Sequence, residues 1–169
     1  MEVIGTYAER KEQVAAFLKE KRAVSLATCV NNHAAVRTIS FASRGLEIVF
    51  LTYRHNTKYR QIAANPSVAL CRDSVQIEGT VEILGSPIDP KNATYAQALR
   101  EKFPDSFDAD ARRLGMVIVR VAPRLVSVFR TTDGAHLVDT LDLVGQTLKT
   151  TDLSDSSDLK PSHAASPED

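Results

Sequence analysis

The spacing of hydrophobic residues along the chain changes near residue 22. In residues 6–21, Val14, Phe17 and Leu18 recur at helical intervals, and charged residues fill most of the other positions. This spacing predicts an amphipathic helix. Beyond it, apolar residues come in short runs rich in Val, Ile, Thr and Phe, which is the composition of β-strands. The pattern therefore indicates one helix followed by a mainly β protein.

Three β-rich runs follow the helix at close intervals, and they cover residues 23–30, 34–42 and 46–53. An Asn-Asn pair separates the first two runs, and a Ser-Arg-Gly triplet separates the next two. Both breaks are typical of hairpin turns. The three runs are therefore predicted to form an antiparallel meander.

Short strands and helices alternate through the rest of the chain. A helix is predicted over residues 56–64 with Asn56 as its N-cap, a second over 91–103, and a broken helical stretch over 105–114. The further predicted strands cover residues 67–72, 75–84, 116–121, 125–131 and, more weakly, 136–143. This order predicts a mainly β fold with peripheral helices, in which six or seven antiparallel strands form a small barrel.

The last residues differ from the rest in composition and charge. Residues 152–169 contain five acidic residues and one basic residue, with Leu153 and Leu159 as the large apolar side chains. We therefore predict a folded domain over residues 1–151 and a disordered acidic tail over residues 152–169. The formal net charge of the whole chain is zero, so the remaining 151 residues carry +4. That charge suits a small anionic ligand and is too weak to predict nucleic-acid binding.

Targeting and metal signals are absent from the sequence. No secretory signal precedes the first helix, and no apolar run approaches the ~20 residues of a membrane span, so a cytoplasmic protein without a membrane partner is expected. Cys29 and Cys71 lie in apolar runs and are predicted to be buried free thiols, with a disulfide or a catalytic thiol as alternatives. The histidines form no pair with metal-ligand spacing, so no metal is predicted.

An arginine interrupts the apolar run of residues 36–41. Strand alternation places Arg37 on the same face as Ile39 and Phe41, where a charged side chain is costly unless it is paired. One interpretation is an edge-strand arginine that reaches water along its aliphatic stem. The other is a guanidinium held for an anionic ligand, because its planar donors match phosphate geometry.

A second cationic position follows the strand that ends near Thr52. Thr57 and Lys58 fall in the first turn of the helix predicted after Asn56, where free backbone N–H groups attract phosphate. A lysine there opposes the helix dipole, so an anion nearby would explain it; a solvated surface lysine is the alternative. Together, Arg37 and Lys58 indicate a phosphate site.

Five ordered pieces of sequence give the chain a family resemblance. They are VRTIS (36–40), FLT (50–52), TK (57–58), NP (65–66) and IEGTVE (77–82). With these pieces, residues 14–129 resemble the split barrels that bind flavin mononucleotide (FMN) and are related to pyridoxamine 5′-phosphate oxidase and the general-stress-protein flavoproteins. The resemblance implies an antiparallel split β-barrel, with FMN as cofactor, and a homodimer with the cofactor at the interface.

The resemblance also implies roles for individual residues. Arg37 and Lys58 would bind the FMN phosphate, with Thr57 as a supporting contact. Gln76 would approach the flavin from across the barrel. The strand edges lining the flavin, partly through backbone groups, would be Thr38, Ile39, Ser40, Leu51 and Thr52.

The function implied is that of an FMN-dependent oxidoreductase that passes hydride or electrons from a reduced donor to an unknown small molecule. No catalytic side chain is named, because the cofactor carries the redox chemistry. The chain has no tryptophan and no late Arg-x-His-x-Arg set, so it departs from the vitamin B6 oxidase itself. The alternatives are a non-enzymatic flavin carrier or sensor, and the same fold with a deazaflavin or haem.

Overall fold

The computed structural model describes residues 5–154. Its first element is helix α1 (Tyr7–Glu20), which confirms the helix predicted from apolar spacing. Thr6 and Glu9 form a capping box: the Glu9 backbone N–H donates to the Thr6 hydroxyl over 3.2 Å, and the Thr6 N–H donates to the Glu9 carboxylate over 2.6 Å. Val14 and Leu18 are buried against the sheet.

Nine strands and three further helices follow α1 within these residues. The helices are α2 (Thr57–Ala64), α3 (Ala93–Lys102) and α4 (Phe107–Ala111), and a single 3-10 turn at Pro90–Asn92 precedes α3. The strands are β1 (Ala23–Val30), β2 (His33–Ser40), β3 (Ala42–Arg44), β4 (Glu47–Tyr53), β5 (Ser67–Arg72), β6 (Val75–Gly85), β7 (Met116–Thr132), β8 (Ala135–Asp142) and β9 (Thr147–Asp152).

All the strand pairs are antiparallel, in the order β2-β1-β5-β6-β7-β4-β3, with β8 on β7 and β9 on β8. The predicted mainly β fold with peripheral helices is confirmed. The strand count is nine in the described residues, where six or seven were expected.

The predicted three-stranded meander is only partly correct. β2 pairs with β1 as expected, but β4 pairs with β7 and with the short strand β3. The physical reason lies in β4 itself, because Ile48, Val49 and Phe50 are all buried. A strand covered on both faces belongs in the interior of the sheet.

The two strands predicted around Pro123 form one 17-residue strand, β7. The register between β6 and β7 shifts at Gly79, which pairs with Pro123, and this irregularity accommodates a proline that has no N–H. A Cβ at Gly79 would lie 2.5 Å from the Ala122 carbonyl oxygen, so the close approach of β7 requires glycine there.

Strand β9 was not predicted, because its sequence TLKTTD has few apolar residues. Past its end, the Leu153 N–H donates to the His136 carbonyl over 2.7 Å, and the Ser154 hydroxyl accepts from the His136 N–H over 2.9 Å. Regular pairing thus continues past residue 151, where the folded domain was expected to end. The rest of the predicted acidic tail, residues 155–169, lies outside the described residues and stays a prediction.

The cysteine prediction was right that both thiols are free and wrong that they are buried. Cys29 and Cys71 are both exposed free thiols, because alternation along β1 and β5 places them opposite the core-facing Thr28 and Leu70. No helix of the described part has the length and apolar character to cross a bilayer.

The core has a second, smaller group of side chains beside the main one. Val49 of β4 and Ile118 of β7 pack there against Leu99 of α3 and Phe107 of α4. This packing fixes α3 and α4 next to the ends of β2 and β4. These helices therefore form a wall beside β2, which carries Arg37, and β4, which precedes the helix that carries Lys58.

Candidate functional site

Arg37 lies on β2 with its side chain turned toward the interior, as strand alternation predicted. Its guanidinium donates to the Leu26 carbonyl (3.3 Å), the Thr28 hydroxyl (2.9 Å) and the Gln61 side-chain oxygen (2.6 Å). All three acceptors are electrically neutral. Burial lowers the pKa of Arg37 from its usual value. Within residues 5–154, the arginine is therefore held in place without an acidic partner.

Lys58 is half-buried in the first turn of α2. Among residues 5–154 its ammonium makes no side-chain hydrogen bond and no ion pair. Burial lowers the pKa of Lys58, and the positive charge of Arg37 lowers it further. Two cations thus act on each other, and the carboxylate of Asp110, which lines the same cleft as Lys58, is paired with Arg113 over 3.1 Å. An anion bound between Arg37 and Lys58 would offset their mutual repulsion.

The N-cap residue of α2 does not cap the helix with its side chain. Asn56 is the N-cap residue, as predicted, but its side chain makes no capping bond to the helix. Its amide donates to the Thr52 hydroxyl over 3.3 Å. The first backbone N–H groups of α2 are therefore without a side-chain cap, and they add to the local positive potential.

A cleft of about 410 Å³ opens beside Lys58, between the strand ends and the α3–α4 wall. That volume falls in the range of small-molecule sites. Six of the nine predicted cofactor residues line this cleft: Thr38, Ile39, Ser40, Leu51, Thr52 and Lys58. The remaining lining residues are Tyr53, Asn56, Leu99, Phe103, Ser106, Phe107, Asp110 and Met116.

Three predicted residues lie outside that lining. Arg37 is close enough to Lys58 to shift its pKa. Thr57 is exposed beside Lys58, and its hydroxyl accepts from Arg60 over 3.4 Å. Gln76 lies elsewhere, in a shallow depression that includes Val36 and Cys71. The structure thus places Arg37 and Thr57 near Lys58 but outside the cleft lining, and it leaves Gln76 apart from all three.

Sequence reasoning missed two parts of the site. One is the apolar wall of Leu99, Phe103 and Phe107, which helical spacing marks as buried without showing what it faces. The other is the pair Thr28 and Gln61, which hold Arg37 through their side-chain oxygens. The alternation of β1 places Thr28 on the core face, which was a usable signal for a polar residue needing a partner.

The chemistry available in the cleft is that of anion binding beside an apolar surface. Its cationic end holds Lys58, with Arg37 nearby, and its other wall presents Leu99, Phe103 and Phe107 together with the polar side chains of Ser106 and Asp110. The cleft lining contains no histidine or cysteine. No group of three or more potential metal ligands occurs in the part of the chain that the structure describes.

The sequence model of a family described as pyridoxamine 5′-phosphate oxidase matches residues 11–129, well over half of the chain. The chain belongs to the pyridoxamine 5′-phosphate oxidase family. The matched span includes all nine predicted cofactor residues. No curated protein matches this sequence.

Three solved structures illustrate the similarity of this family member to proteins with different ligands. A pyridoxamine 5′-phosphate oxidase-related, FMN-binding protein from Nostoc punctiforme is 16% identical, with a TM-score of 0.54 over 86% of this chain and 94% of that one. HutZ, a haem storage protein from Vibrio cholerae, is 14% identical, with a TM-score of 0.58 over 66% of this chain and 87% of HutZ. An F420 reductase is 27% identical, with a TM-score of 0.51 over 66% and 94%. The fold is thus shared by proteins described with FMN, haem and F420.

Proposed function

We propose that this family member binds FMN in the cleft beside Lys58 and acts as a flavin-dependent oxidoreductase. The observation that carries the proposal is the pair of cations, Arg37 and Lys58, which have neutral neighbours where a structural pair would have a carboxylate. A buried or half-buried charge is costly without a counter-charge. A phosphate dianion would supply that counter-charge.

The residues of the cleft fit the two ends of FMN. Arg37, Lys58 and the uncapped first turn of α2 would hold the phosphate, with the Thr57 hydroxyl beside them. The strand edges at Thr38–Ser40 and Leu51–Thr52 would orient the ring system, and the α3–α4 wall would exclude water from it. Bound FMN would supply hydride and electron transfer.

We further propose that the protein is a homodimer with the cofactor at its interface. The face of β1, β2 and β5 turned away from the core carries small or apolar side chains, and Val36 is 70% exposed on it. Gln76 lies on the same side of the adjoining strand β6, opposite Cys71 of β5, and outside the cleft, so a contact between Gln76 and FMN would require a second copy. Sedimentation equilibrium at micromolar concentration should give twice the 18.5 kDa chain mass; a clean monomer would contradict the dimer.

The phosphate site is tested by comparing FMN with riboflavin, which lacks the phosphate. Arg37→Ala and Lys58→Ala should each weaken FMN binding by roughly ten- to a hundredfold, since a hydrogen bond to a charged group contributes ~1.5–3 kcal/mol. Riboflavin should bind weakly and about equally to the wild type and both variants. Fluorescence titration measures both ligands.

Lys91→Ala is a matched control, because Lys91 is an exposed lysine paired with Asp89, and neither residue lines the cleft. It should leave FMN affinity unchanged. If Arg37→Ala and Lys58→Ala also fold normally and keep full FMN affinity, the proposed site is wrong.

Two rival functions are separated by direct measurements. The F420 reductase similarity favours a deazaflavin as the second candidate ligand, and haem is the third. An absorption spectrum of the purified protein, with mass spectrometry of the released ligand, distinguishes the three chromophores. Turnover of a nicotinamide donor by the FMN-loaded protein would favour an enzyme, and its absence would favour a flavin carrier or sensor.

A further inference from the structure

Arg37 is fixed by an arrangement of side chains that contains no negative charge. The Thr28 hydroxyl accepts from Arg37 Nη1 over 2.9 Å, and Gln61 Oε1 accepts from Nη2 over 2.6 Å. The Thr28 hydroxyl also donates to Gln61 Oε1 over 2.8 Å. The three side chains therefore form a closed hydrogen-bonded ring that joins β1, β2 and α2.

The ring orders the guanidinium while leaving some of its donors free. Three acceptors occupy Nη1 and one hydrogen of Nη2. The Nε hydrogen and the second Nη2 hydrogen have no hydrogen-bond partner within residues 5–154. Thr28 is 3% exposed, so its position is set by packing as well as by the ring. The arginine is thus presented in one orientation with donors left over for a ligand.

The identity of residue 61 decides the charge of the site. Gln61 lies three residues after Lys58 on α2, so both side chains are on neighbouring positions of one helix face. Glutamate has nearly the same shape as glutamine and accepts the same hydrogen bonds. At position 61 it would pair with Arg37 and reduce the local charge of the two cations from +2 to +1.

We propose that Gln61 and Thr28 are positioning residues that hold Arg37 with neutral acceptors and so preserve its charge for an anionic ligand. This inference rests on the proposed phosphate site and adds a requirement for the residue at position 61. The site needs an amide at position 61, because a carboxylate there would compete with the phosphate for the same guanidinium.

The test compares four variants in binding FMN and riboflavin. Gln61→Glu should lower FMN affinity by about ten- to a hundredfold, because an internal carboxylate replaces the ligand's phosphate as the partner of Arg37. Its melting temperature without ligand should equal or exceed that of the wild type. Gln61→Ala frees the guanidinium without neutralising it, so its loss of FMN affinity should be smaller than that of Gln61→Glu.

The Thr28 variants separate positioning from packing. Thr28→Val keeps the shape and removes both hydrogen bonds, so FMN affinity should fall several-fold while riboflavin binding is unchanged. Thr28→Ser keeps the hydroxyl and should restore most of the FMN affinity. A purely structural role would move the melting temperature of these variants and affect both ligands equally.

The outcomes distinguish a failure of the proposed role of Gln61 from a failure of the proposed phosphate site. If the wild type binds FMN and riboflavin equally, the phosphate site itself is wrong, and the inference falls with it. If the wild type prefers FMN and Arg37→Ala loses that preference, but Gln61→Glu keeps it, the phosphate site stands and the role of Gln61 is refuted.

Discussion

Two regions of the molecule each bring a pair of cations together. In one region both cations pair with a buried carboxylate, and in the other they have no carboxylate partner within residues 5–154. At the first, Asp139 is fully buried and receives Arg10 over 2.7 Å and Arg130 over 2.9 Å. The Thr150 hydroxyl donates to the same carboxylate over 2.6 Å. At the second, Arg37 and Lys58 have no carboxylate partner in the region that the structure covers.

The difference separates a structural cluster from a binding site. Burial acts to raise the pKa of Asp139, but Thr150, Arg130 and Arg10 outweigh it and hold that pKa below its ordinary value. This cluster joins α1 to β7, β8 and β9, and its two guanidinium groups share one buried carboxylate, although Arg10 Nε is buried without a hydrogen-bond partner within residues 5–154. At the cleft, Arg37 and Lys58 have no counter-charge within the described residues, which costs stability and favours an anion.

The largest effect is expected at Asp139. Asp139→Asn keeps the shape but removes the charge that Arg10 and Arg130 share, and breaking a buried ion pair costs about 3–5 kcal/mol. For a chain of this length that loss lowers the melting temperature by roughly 6–20 °C. Thermal unfolding measures it, and the FMN affinity of the folded variant should be unchanged.

Asp108→Asn is the control for this variant, since Asp108 pairs with Arg100 on the surface, where both side chains are more than half exposed. Its effect should stay below about 1 kcal/mol. If Asp139→Asn lowered the free energy of unfolding by as little as Asp108→Asn does, the contrast between the two regions would be contradicted.

Acid unfolding sharpens the same comparison. The folded-state pKa of Asp139 is lowered, so its contribution to stability is present above the ordinary carboxyl value of 3.8 and is lost as pH falls below it. The difference in stability between wild type and Asp139→Asn should therefore shrink below pH 3.8. Chemical denaturation at several pH values measures this, and a constant difference would argue against the role of the charge.

An intermediate effect is expected on ligand binding at alkaline pH. The pKa of Lys58 is lowered, so the ammonium begins to lose its proton below the ordinary lysine value of 10.5. FMN affinity should then fall by about tenfold as Lys58 deprotonates, because one charged contact to the phosphate is lost. Fluorescence titration from pH 7 to 10 checks this. Lys58→Met should bind FMN weakly at neutral pH and show no such decline.

The smallest effect concerns stability without ligand. A lysine whose folded-state pKa lies below its unfolded value destabilises the fold at neutral pH, and this cost is relieved as pH rises from the folded value towards 10.5. Lys58→Met should therefore stabilise the ligand-free protein by about 0.5–1 kcal/mol. Differential scanning calorimetry measures it. A clear loss of stability would mean that Lys58 has a structural partner.

The parts of this fold that sequence could predict are those governed by local rules. Alternation within residues 36–41 placed Arg37 on the face of Ile39 and Phe41, and the side chains do lie there. The helix at Lys58 followed from Asn56 and from the proline after Asn65. Both inferences needed only a few neighbouring residues.

The parts that could not be predicted depend on residues distant in sequence. The pairing of β4 with β7 and the α3–α4 wall of the cleft bring together segments that no local pattern connects. Gln61 carried no signal either, because glutamine is common on helix surfaces and its partner Arg37 lies on another element. The cysteines were misplaced because apolar neighbours do not tell which face of a strand a side chain occupies.

The pairing of β4 with β7 also constrains when the cleft can form during synthesis. Leu51 and Thr52 pair with Ile118 and Val117, which lie more than sixty positions later in the chain. Contacts so distant in sequence form slowly, and the ribosome delivers the N-terminal residues first. The ribosome therefore synthesises Arg37 and Lys58 well before β7, the strand that pairs with the cleft-lining residues of β4. A cofactor is expected to enter the completed protein and not to template its folding.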